Sequence, residues 1–226
     1  MQPSVNERLA AYLQQQRLPP GLLDLLGWFY LPLADHIAGL HRSKRPLLLG
    51  INGAQGSGKT TLAGIICLLL QQQHGLRCAS LSLDDLYLTK AEREVLAQDI
   101  HPLFITRGVP GTHDMQLGNG ILDQVEAGQP VVLPRFDKLT DDRVPAEQWT
   151  EHAPLDVLIL EGWCVGCRPQ EDIREPVNAL ETDEDQDGRW RQHVNSCLQS
   201  EYAELFSRLH ALLMLAVPSM EKVYQW

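Results

Sequence analysis

The sequence has few of the features that mark secreted, membrane-spanning or nucleic-acid-binding proteins. Its 226 residues include five cysteines, an odd number with no spacing typical of a disulfide framework. It has no N-terminal signal-peptide pattern and no apolar run long enough to span a bilayer. The formal net charge of −10 argues against a broad basic surface for nucleic acid or an anionic membrane. We therefore predict a cytoplasmic protein that binds neither nucleic acid nor membranes.

The cysteines are better explained by packing than by metal binding or redox chemistry. Cys67 falls in an apolar stretch and Cys78 begins a predicted strand, so we expect both to be reduced core residues. Cys164 and Cys167 form a C-x-x-C pattern. A single such pair, without a second pair or a thioredoxin-like context, is a weak metal or redox signal. Packing at the end of a strand is the favoured interpretation.

The overall composition is that of an ordinary globular protein. Hydrophobic residues make up 44% of the chain and charged residues 21%. A chain of this length can bury the core of one α/β domain and carry a small appendage. The sequence contains no internal repeat and no low-complexity tract.

The most informative stretch is residues 47–66, which read LLLGINGAQGSGKTTLAGII. Its first three residues are an apolar run typical of a buried parallel strand. Residues 53–60 match the phosphate-loop pattern G-x-x-x-x-G-K-[ST] at every fixed position, and apolar residues at helical spacing follow. The strand–loop–helix context of the motif is therefore predicted. The residues expected to bind a nucleotide are Gly53, Ala54, Gln55, Gly56, Ser57, Gly58, Lys59, Thr60 and Thr61.

The spacing of this motif has a physical reason. Glycines let the backbone adopt positive φ and approach an anion that a Cβ atom would obstruct. Backbone N–H groups of the loop and of the following helix then point at one place, where the helix dipole adds partial positive charge. Lys59 can reach the β- and γ-phosphates, and the Thr60 hydroxyl can bind Mg²⁺.

Helical and strand patterns alternate along the rest of the chain. Besides the helix after the phosphate loop and a short one capped by Thr89, helices are predicted at residues 5–16, 22–30, 32–41, 114–127 and 189–208, and strands at 47–49, 78–83, 131–134, 156–160 and 210–217. This order predicts βαβ units and an α/β fold, the three-layer α/β/α P-loop NTPase fold with a mainly parallel central sheet. Residues 1–44 are predicted to form an N-terminal helical extension packed on the core, and residues 45–226 the P-loop domain. Polar loops are expected at 102–114 and from 139 to about 154.

The last pattern reaches the end of the sequence. Pro218 is predicted to open a helix that continues to Trp226 without a cap, a glycine or a polar tail. We expect the chain to end inside its domain, so that the domain is C-terminally incomplete.

Three acidic residues fall at the carboxyl ends of predicted strands: Asp84, Asp85 and Glu161. In parallel sheets this edge binds the ligand. Asp84 is our candidate for the general base of a phosphoryl transfer, with Asp85 or Glu161 on the magnesium side beside Thr60. The Asp pair can instead cap a helix or a turn. Glu161 can contact the metal directly or through a water molecule.

Five stretches occur together and in order: 53–60 (GAQGSGKT), 82–89 (SLDDLYLT), 107–114 (RGVPGTHD), 133–138 (LPRFDK) and 160–163 (LEGW). In this combination the sequence resembles the D-glycerate 3-kinase family and its kinase-like relatives, near the phosphoribulokinase, uridine kinase and pantothenate kinase group. The likeness runs over residues 47–163, with a weaker echo at 220–226 (MEKVYQW). The phosphate loop alone is generic, whereas the other four stretches together are specific.

The resemblance implies that residues 45–226 are a P-loop kinase domain that uses ATP and Mg²⁺. Asp84 matches the acidic residue that serves as base in the wider group, next to the catalytic Lys59. The residues implied to face the acceptor are Arg107, His113, Asp114, Arg135, Asp137 and Lys138. An anionic acceptor such as glycerate would favour cations there, because a guanidinium group pairs bidentately with a carboxylate. The alternatives are solvent-facing loop charges for Arg107 and Lys138, and a helix N-cap for Asp114.

The sequence departs from the pattern of such kinases in two places. Relatives continue beyond the position of Trp226. Residues 168–191, where these kinases place a mobile lid, are acidic here rather than rich in arginine. Arg189 and Arg191 are candidates for contacts with the γ-phosphate, but an exposed helix face is the favoured interpretation.

Together these patterns predict an ATP-dependent kinase whose partner is a small anionic acceptor, with D-glycerate as the first choice. The rival enzyme hypothesis keeps the mechanism and changes the acceptor to pantothenate, a sugar phosphate or a nucleoside, although the basic positions disfavour uridine. A nucleotide-dependent switch or assembly ATPase is a second class. The guanine-reading N-K-x-D pattern and the sensor motifs of such machines are absent from the sequence. A nucleotide-binding protein without catalysis is the third hypothesis.

Overall fold

The computed structural model describes residues 3–219, 221 and 223. Among these residues, four parallel strands form the central sheet in the order β2-β7-β1-β8, and two small antiparallel sheets pair β3 with β6 and β4 with β5. The strands are β1 (Leu47–Gly53), β2 (Cys78–Ser82), β3 (Val131–Leu133), β4 (Phe136–Asp137), β5 (Asp142–Arg143), β6 (Thr150–His152), β7 (Val157–Gly162) and β8 (Ala211–Leu215).

The α-helices of the described residues are α1 (Val5–Gln15), α2 (Leu31–Ser43), α3 (Lys59–His74), α4 (Lys90–Asp99), α5 (Met115–Glu126), α6 (Ala179–Glu184), α7 (Arg189–Gln199) and α8 (Glu201–Ser207). Of these, α1, α2 and α5 begin and end within two residues of their predicted positions. Ser4 and Thr89 start α1 and α4 with complete capping boxes, which satisfy backbone N–H groups that have no partner within the helix. The prediction of a helix capped by Thr89 is confirmed.

Alternate residues of the central strands face two hydrophobic cores, one on each side of the sheet. In β7, Leu158 and Leu160 pack with helices α5, α7 and α8, whereas Val157 and Ile159 pack with α1, α2 and α3. Because both faces are covered, β1 and β7 are buried along their whole length and form nearly unbroken apolar runs. The predicted three-layer α/β/α P-loop fold with a mainly parallel sheet is confirmed.

Helices α1 and α2 share one core with the phosphate-loop helix. Leu9 and Leu13 of α1 and Ile37 of α2 are buried in the same cluster as Ile65 and Ile66 of α3. These contacts are those expected of an N-terminal extension packed on a core. The division into residues 1–44 and 45–226 stays a prediction.

Several predicted elements differ from the structure. The strand at β3 lies outside the parallel sheet and pairs antiparallel with β6, so the predicted loop from 139 to about 154 contains two short strands, β5 and β6. Residues 22–30 form 3₁₀ and π turns, Pro20–Leu25 and Leu26–Tyr30, instead of an α-helix. The predicted helix 189–208 is broken at Ser200, whose hydroxyl donates to the Ser196 carbonyl at 2.8 Å and whose ψ is −99°. The helix predicted from Pro218 and the echo at 220–226 fall largely outside the described residues.

The cysteines are free thiols. Cys164 is buried directly after β7, as the packing interpretation predicts, and Cys67, Cys78 and Cys167 are partly buried. Cys197 is buried in the core between α7 and the sheet. In a separate observation, the described residues include no helix with both the length and the apolar composition to cross a membrane.

The contact between α1 and α3 gives a stability prediction. A Cβ atom at Gly64 of α3 would lie 2.0 Å from the Tyr12 hydroxyl oxygen. Overpacking a rigid ring costs about 1–3 kcal/mol, and this outweighs the gain of up to ~1 kcal/mol from replacing glycine by alanine in a helix. We therefore expect Gly64→Ala to lower the free energy of unfolding, measured by urea titration followed by circular dichroism.

Two matched variants separate crowding from helix propensity. Gly120 of α5 has no heavy atom within 4 Å of an added Cβ, so Gly120→Ala should stabilise the protein by up to about 1 kcal/mol. Adding Tyr12→Phe to Gly64→Ala removes the closest clashing atom and should recover most of the loss. Equal stabilisation by alanine at positions 64 and 120 would contradict the packing observed at Gly64.

Candidate active site

The carboxyl ends of β1, β2 and β7 meet at one edge of the central sheet. The strand register places Ile51 of β1 and Ser82 of β2 on either side of Glu161 of β7. The chain leaves these strands into the phosphate loop, the 3₁₀ turn Leu83–Leu86 and the turn at Trp163. Ligands of parallel α/β sheets bind at this edge, and the predicted nucleotide-binding and acidic residues are brought together here.

The phosphate loop closes on the amino terminus of α3. Gly56 and Gly58 have φ angles of 75° and 89°, a region that L side chains rarely adopt. Because α3 begins at Lys59, the free N–H groups of its first turn face the loop. The Ser57 hydroxyl oxygen is buried without a hydrogen-bond partner among the described residues. The free N–H groups of this first turn fit the oxygens of a phosphate chain.

Lys59 lies over this loop. Its Nζ donates to the Ala54 carbonyl oxygen at 2.9 Å. Burial lowers the pKa of the Lys59 ammonium group, while the carboxylates of Glu161 and Asp84 raise it. The positive charge of Lys59 therefore faces both the phosphate loop and the two acids of the neighbouring strands.

A cavity of about 440 Å³ opens beside the loop, a size typical of small-molecule sites. Its lining residues include Lys59, Thr60, Asp84, Lys138, Glu161 and Trp163. Gln55 and Gly56 of the loop also line it. The remaining predicted nucleotide-binding residues are at the end of β1, in the loop or in the first turn of α3.

Thr60, Asp85 and Glu161 are the residues predicted to hold Mg²⁺. Thr60 Oγ1 donates to Glu161 Oε1 at 2.6 Å, and Glu161 is 3% exposed. Asp85 lines an adjoining cleft together with Thr60, and its Oδ1 accepts the Phe136 N–H at 3.0 Å. Burial raises the pKa of Asp85, against the lowering effect of that hydrogen bond and of Arg135. Oxygen donors of this kind fit Mg²⁺, and the metal-binding role of Thr60, Asp85 and Glu161 stays a prediction.

Asp84 is held at the wall of the cavity by two interactions. Its backbone N–H donates to Ser82 Oγ at 3.3 Å, in the turn that begins the 3₁₀ segment. Its Oδ2 lies 2.6 Å from Lys138 Nζ. The turn considered as an alternative is therefore present, and it presents the carboxylate to the same cavity as the phosphate loop. This arrangement suits a group that accepts a proton from a hydroxyl.

Three of the predicted acceptor residues are cations that are partly open to solvent. Lys138 lines the main cavity, and Arg135 lines the adjoining cleft with Asp85. Arg107 is 30% exposed in its side chain and forms an ion pair with Asp141. Their role in acceptor binding stays a prediction.

The structure does not place the His113 ring in the cavity, contrary to the implied acceptor role. The ring is 3% exposed, stacks on Tyr87 with centroids 4.3 Å apart, and has its Nδ1 2.6 Å from the Tyr202 hydroxyl oxygen. Burial lowers the pKa of His113 to about 3, so the ring is neutral at physiological pH. This histidine packs the core behind the site.

Asp114 and Asp137 shape the local backbone. Asp114 accepts the Leu117 N–H at 2.8 Å as the N-cap of α5, which is the alternative considered from the sequence. Asp137 accepts the Leu139 N–H at 2.9 Å in an exposed turn, and this bond and one from Thr140 hold its pKa below the usual range. Neither residue lines the main cavity, although Asp137 borders the adjoining cleft.

The arginines considered for γ-phosphate contacts are engaged elsewhere. Arg189 is exposed and pairs with Asp187. Arg191 Nη1 lies 3.2 Å from Oδ2 of the fully buried Asp185. Both guanidinium groups therefore bind acids of the segment that joins α6 to α7.

Sequence reasoning missed two interactions around the site. Trp163 Nε1 donates to the Gly108 carbonyl oxygen at 3.0 Å, which links the loop after β7 to the loop that carries Arg107. Arg93 and Asp141 form an ion pair beside Arg107. The pattern of α4 gave no signal for Arg93, because a charged residue in a mostly polar helix is typical of an exposed face.

The phosphate loop after the first strand of a parallel sheet, with acids at the ends of the neighbouring strands, defines a nucleotide-binding protein of the P-loop kinase class. No family model matches the chain. The chain is 34% identical over 197 residues to the "Uncharacterized kinase mug58" of Schizosaccharomyces pombe, covering 80% of this chain and 69% of that protein. It is 29% identical to the chloroplastic D-glycerate 3-kinase of Arabidopsis thaliana, covering 88% of this chain.

A solved kinase structure is also similar to this chain. The D-glycerate 3-kinase from Cryptococcus neoformans superposes with a TM-score of 0.67 at 28% identity, covering 86% of this chain and 76% of that one. The chain therefore belongs to the family of P-loop kinases that includes D-glycerate 3-kinase. It spans about half the length of some curated relatives, 46% of the Arabidopsis enzyme and 48% of the yeast "Probable ATP-dependent kinase TDA10".

Proposed function

We propose that this protein transfers the γ-phosphate of ATP, with Mg²⁺, to a hydroxyl group of a small anionic acceptor, with D-glycerate giving 3-phosphoglycerate as the best candidate. The observation that carries the proposal is the common cavity in which Asp84 and the Thr60–Glu161 pair face the phosphate loop. Phosphoryl transfer needs a phosphate cradle, oxygen ligands for a metal and a group that orients or deprotonates the acceptor. Residues that could serve as each of the three line one cavity.

The residues of the site would bind the phosphates, hold the metal ion and accept a proton. The N–H groups of the phosphate loop and the Lys59 ammonium group bind the β- and γ-phosphates. Thr60, Glu161 and Asp85 would hold Mg²⁺, which neutralises charge on the phosphates when bound. Asp84 accepts the proton of the acceptor hydroxyl group. The oxygen of that hydroxyl group bonds to the γ-phosphorus, and the bond between the γ-phosphorus and the bridging oxygen of ADP breaks.

The charge around the site favours an anionic acceptor. Lys138 lies directly beside Asp84, Arg135 lines the adjoining cleft, and Arg107 lies over the ring of Phe136, which lines the same cleft. Guanidinium and ammonium groups bind a carboxylate or phosphate, whereas a neutral nucleoside gains nothing from them. Relatives named D-glycerate 3-kinase support glycerate.

Relatives named pantothenate kinase support the main alternative. The pantothenate kinase of Bradyrhizobium is 31% identical over 155 residues. Pantothenate also carries a carboxylate, so the same cations suit it. Other acceptors, such as a sugar phosphate or a nucleoside, and a regulatory protein that binds a nucleotide without catalysis complete the alternatives.

The test is a coupled assay of ADP release with Mg²⁺ and ATP, run with D-glycerate, pantothenate, uridine and several sugar acids. We expect D-glycerate to stimulate ADP release above the acceptor-free rate. Rapid turnover of uridine without turnover of glycerate would overturn the proposed acceptor. No stimulation by any acceptor, with ATP still bound tightly, would favour a non-catalytic nucleotide-binding protein.

A further inference from the structure

A fully buried cation lies beside the arginine proposed to bind the acceptor. Arg93 of α4 is 0% exposed, and a buried charge must be paired and hydrogen-bonded to be tolerated. Its Nη1 donates to the Ile105 carbonyl oxygen at 3.0 Å, and its Nη2 to the Asp141 carbonyl oxygen at 2.7 Å. The same Nη2 lies 2.9 Å from Asp141 Oδ2. Arg93 is therefore fixed against the turn between β4 and β5.

The Asp141 carboxylate is shared between two guanidinium groups. Its Oδ2 pairs with Arg93 and its Oδ1 with Arg107. Burial raises the pKa of Asp141, but the hydrogen bonds from Arg93 and Arg107 outweigh this and hold the pKa below its usual range. The carboxylate is thus ionised at neutral pH. Two cations and one anion leave one net positive charge on this cluster.

Phe136 connects the cluster to the acidic side of the active site. Its ring centroid is 5.5 Å from Cζ of Arg107 and 5.9 Å from Cζ of Arg93, distances at which a cation is attracted to an aromatic ring. Its backbone N–H donates to Asp85. Since the Arg93 side chain is 1% exposed and that of Arg107 is 30% exposed, Arg107 is the member of the pair that a ligand from solution can reach.

Arg93 changes the net charge around Arg107 and therefore the attraction of Arg107 for an anionic ligand. With Arg107 alone, the Asp141 carboxylate would form a neutral pair and cancel most of the attraction for an anion. The guanidinium group of Arg93 pairs with the same carboxylate and balances its negative charge. Because Arg93 is buried, salt screens this interaction little.

We propose that Arg93 is a positioning residue that neutralises Asp141, so that Arg107 presents a net positive charge to the anionic group of the acceptor. This inference rests on the proposed function, because it takes Arg107 as a contact of an anionic acceptor. It identifies Arg93 and Asp141 as determinants of acceptor affinity without contact to the acceptor.

The test compares Arg93→Met, Arg93→Met/Asp141→Asn and Arg107→Met by steady-state kinetics. The acceptor is D-glycerate, or in its place the carboxylate that turns over in the acceptor panel. One charge removed at about 10 Å changes acceptor affinity roughly tenfold at an effective dielectric constant near 20, so Arg93→Met should raise the acceptor KM by about tenfold. The KM for ATP should not change. The double variant again leaves one net positive charge, and its acceptor KM should return to within about threefold of the wild-type value.

Recovery of the acceptor KM in the double variant distinguishes a role of Arg93 in charge balance from a merely structural role. If Arg93 acts only by holding the fold, Asp141→Asn will not restore the KM of Arg93→Met, and the inference is wrong. If Arg107→Met raises the acceptor KM while Arg93→Met does not, the inference is wrong and the proposed function stands. If no carboxylate turns over, or Arg107→Met leaves the KM unchanged, the anionic acceptor site itself is wrong and the inference with it.

A further variant covers the case in which Arg93→Met does not fold, as judged by circular dichroism. Asp141→Asn alone preserves the side-chain volume and adds one net positive charge to the cluster. We expect an acceptor KM no higher than that of the wild type, with a steeper dependence on salt. A higher KM in this folded variant would overturn the inference.

Discussion

Replacing Lys59 with alanine is expected to reduce turnover to a small residual rate and to weaken ATP binding. Lys59 is placed over the phosphate loop, with its ammonium group facing Glu161 and Asp84, where charge develops on the transferred phosphoryl group. Removing one such donor typically costs about 10²–10³-fold in kcat. Because the same group binds the phosphates before transfer, the Kd of ATP should rise by about tenfold or more, as for other charge-assisted hydrogen bonds.

Turnover is measured by coupled ADP release, and ATP binding by isothermal titration calorimetry. Lys44→Ala removes an exposed lysine just after α2, outside the cavity, and should match the wild type in both measurements. Unchanged ATP affinity in Lys59→Ala would contradict the assignment of this loop to the β- and γ-phosphates.

Replacing Asp84 with asparagine is expected to lower kcat by roughly two to four orders of magnitude, the usual contribution of a general base. Asparagine has the same shape but cannot accept the proton of the acceptor hydroxyl. The Kd of ATP should stay close to the wild-type value, because the role proposed for Asp84 is toward the acceptor and its carboxylate is paired with Lys138. Asp24→Asn, at an exposed position outside the site, is the matched control and should leave kcat unchanged.

Two other variants test whether the loss belongs to the base. If breaking the ion pair were the cause, Lys138→Met would lower kcat as much as Asp84→Asn, whereas we expect it mainly to raise the acceptor KM. Asp85→Asn should raise the Mg²⁺ concentration needed for half-maximal rate, which Asp84→Asn should not do. Full activity in Asp84→Asn would remove its assigned role. Acceptor-independent ATP hydrolysis that Asp84→Asn does not diminish would support a nucleotide-dependent switch.

The elements around the phosphate loop were predictable because their signals are local. A buried parallel strand needs an apolar run, the loop needs glycine where φ is positive, and the next helix needs apolar residues at a period of 3.6. β1, the left-handed Gly56 and Gly58, and α3 are at the predicted positions. Capping boxes are equally local, and Thr89 begins α4 as expected.

Predictions that depended on distant partners were less accurate. The strand at Val131–Leu133 was identified, but its partner Thr150–His152 consists of three polar residues and has no apolar alternation that would indicate a strand. The pattern at 189–208 was helical on both sides of Ser200, and no propensity places the break between the two helices at this residue. Strand pairing and chain direction depend on contacts with distant parts of the folded chain. The propensity of a single segment carries no information on those contacts.

Within the candidate site, the predicted residues of the sheet edge line one cavity, whereas the ring of His113 lies in the core. Asp84, Glu161, Lys59 and Thr60 line one cavity because strands of a parallel sheet end at the same edge. His113 belongs to the same family stretch as Arg107, yet its ring is stacked on Tyr87 inside the core. Neighbouring residues of a loop turn to opposite sides, and the position of the core decides which of them is buried.

The sequence by itself determined the phosphate loop, the parallel sheet and the acids at its edge, because each follows from spacing, handedness and the apolar pattern of a short segment. The tertiary structure decided the charge of the site. Arg93, Arg107 and Asp141 come from three separate segments, and their net charge depends on which of them meet and how deeply each is buried. Burial and long-range pairing set electrostatic energy in a protein, and both exist only once the chain has folded.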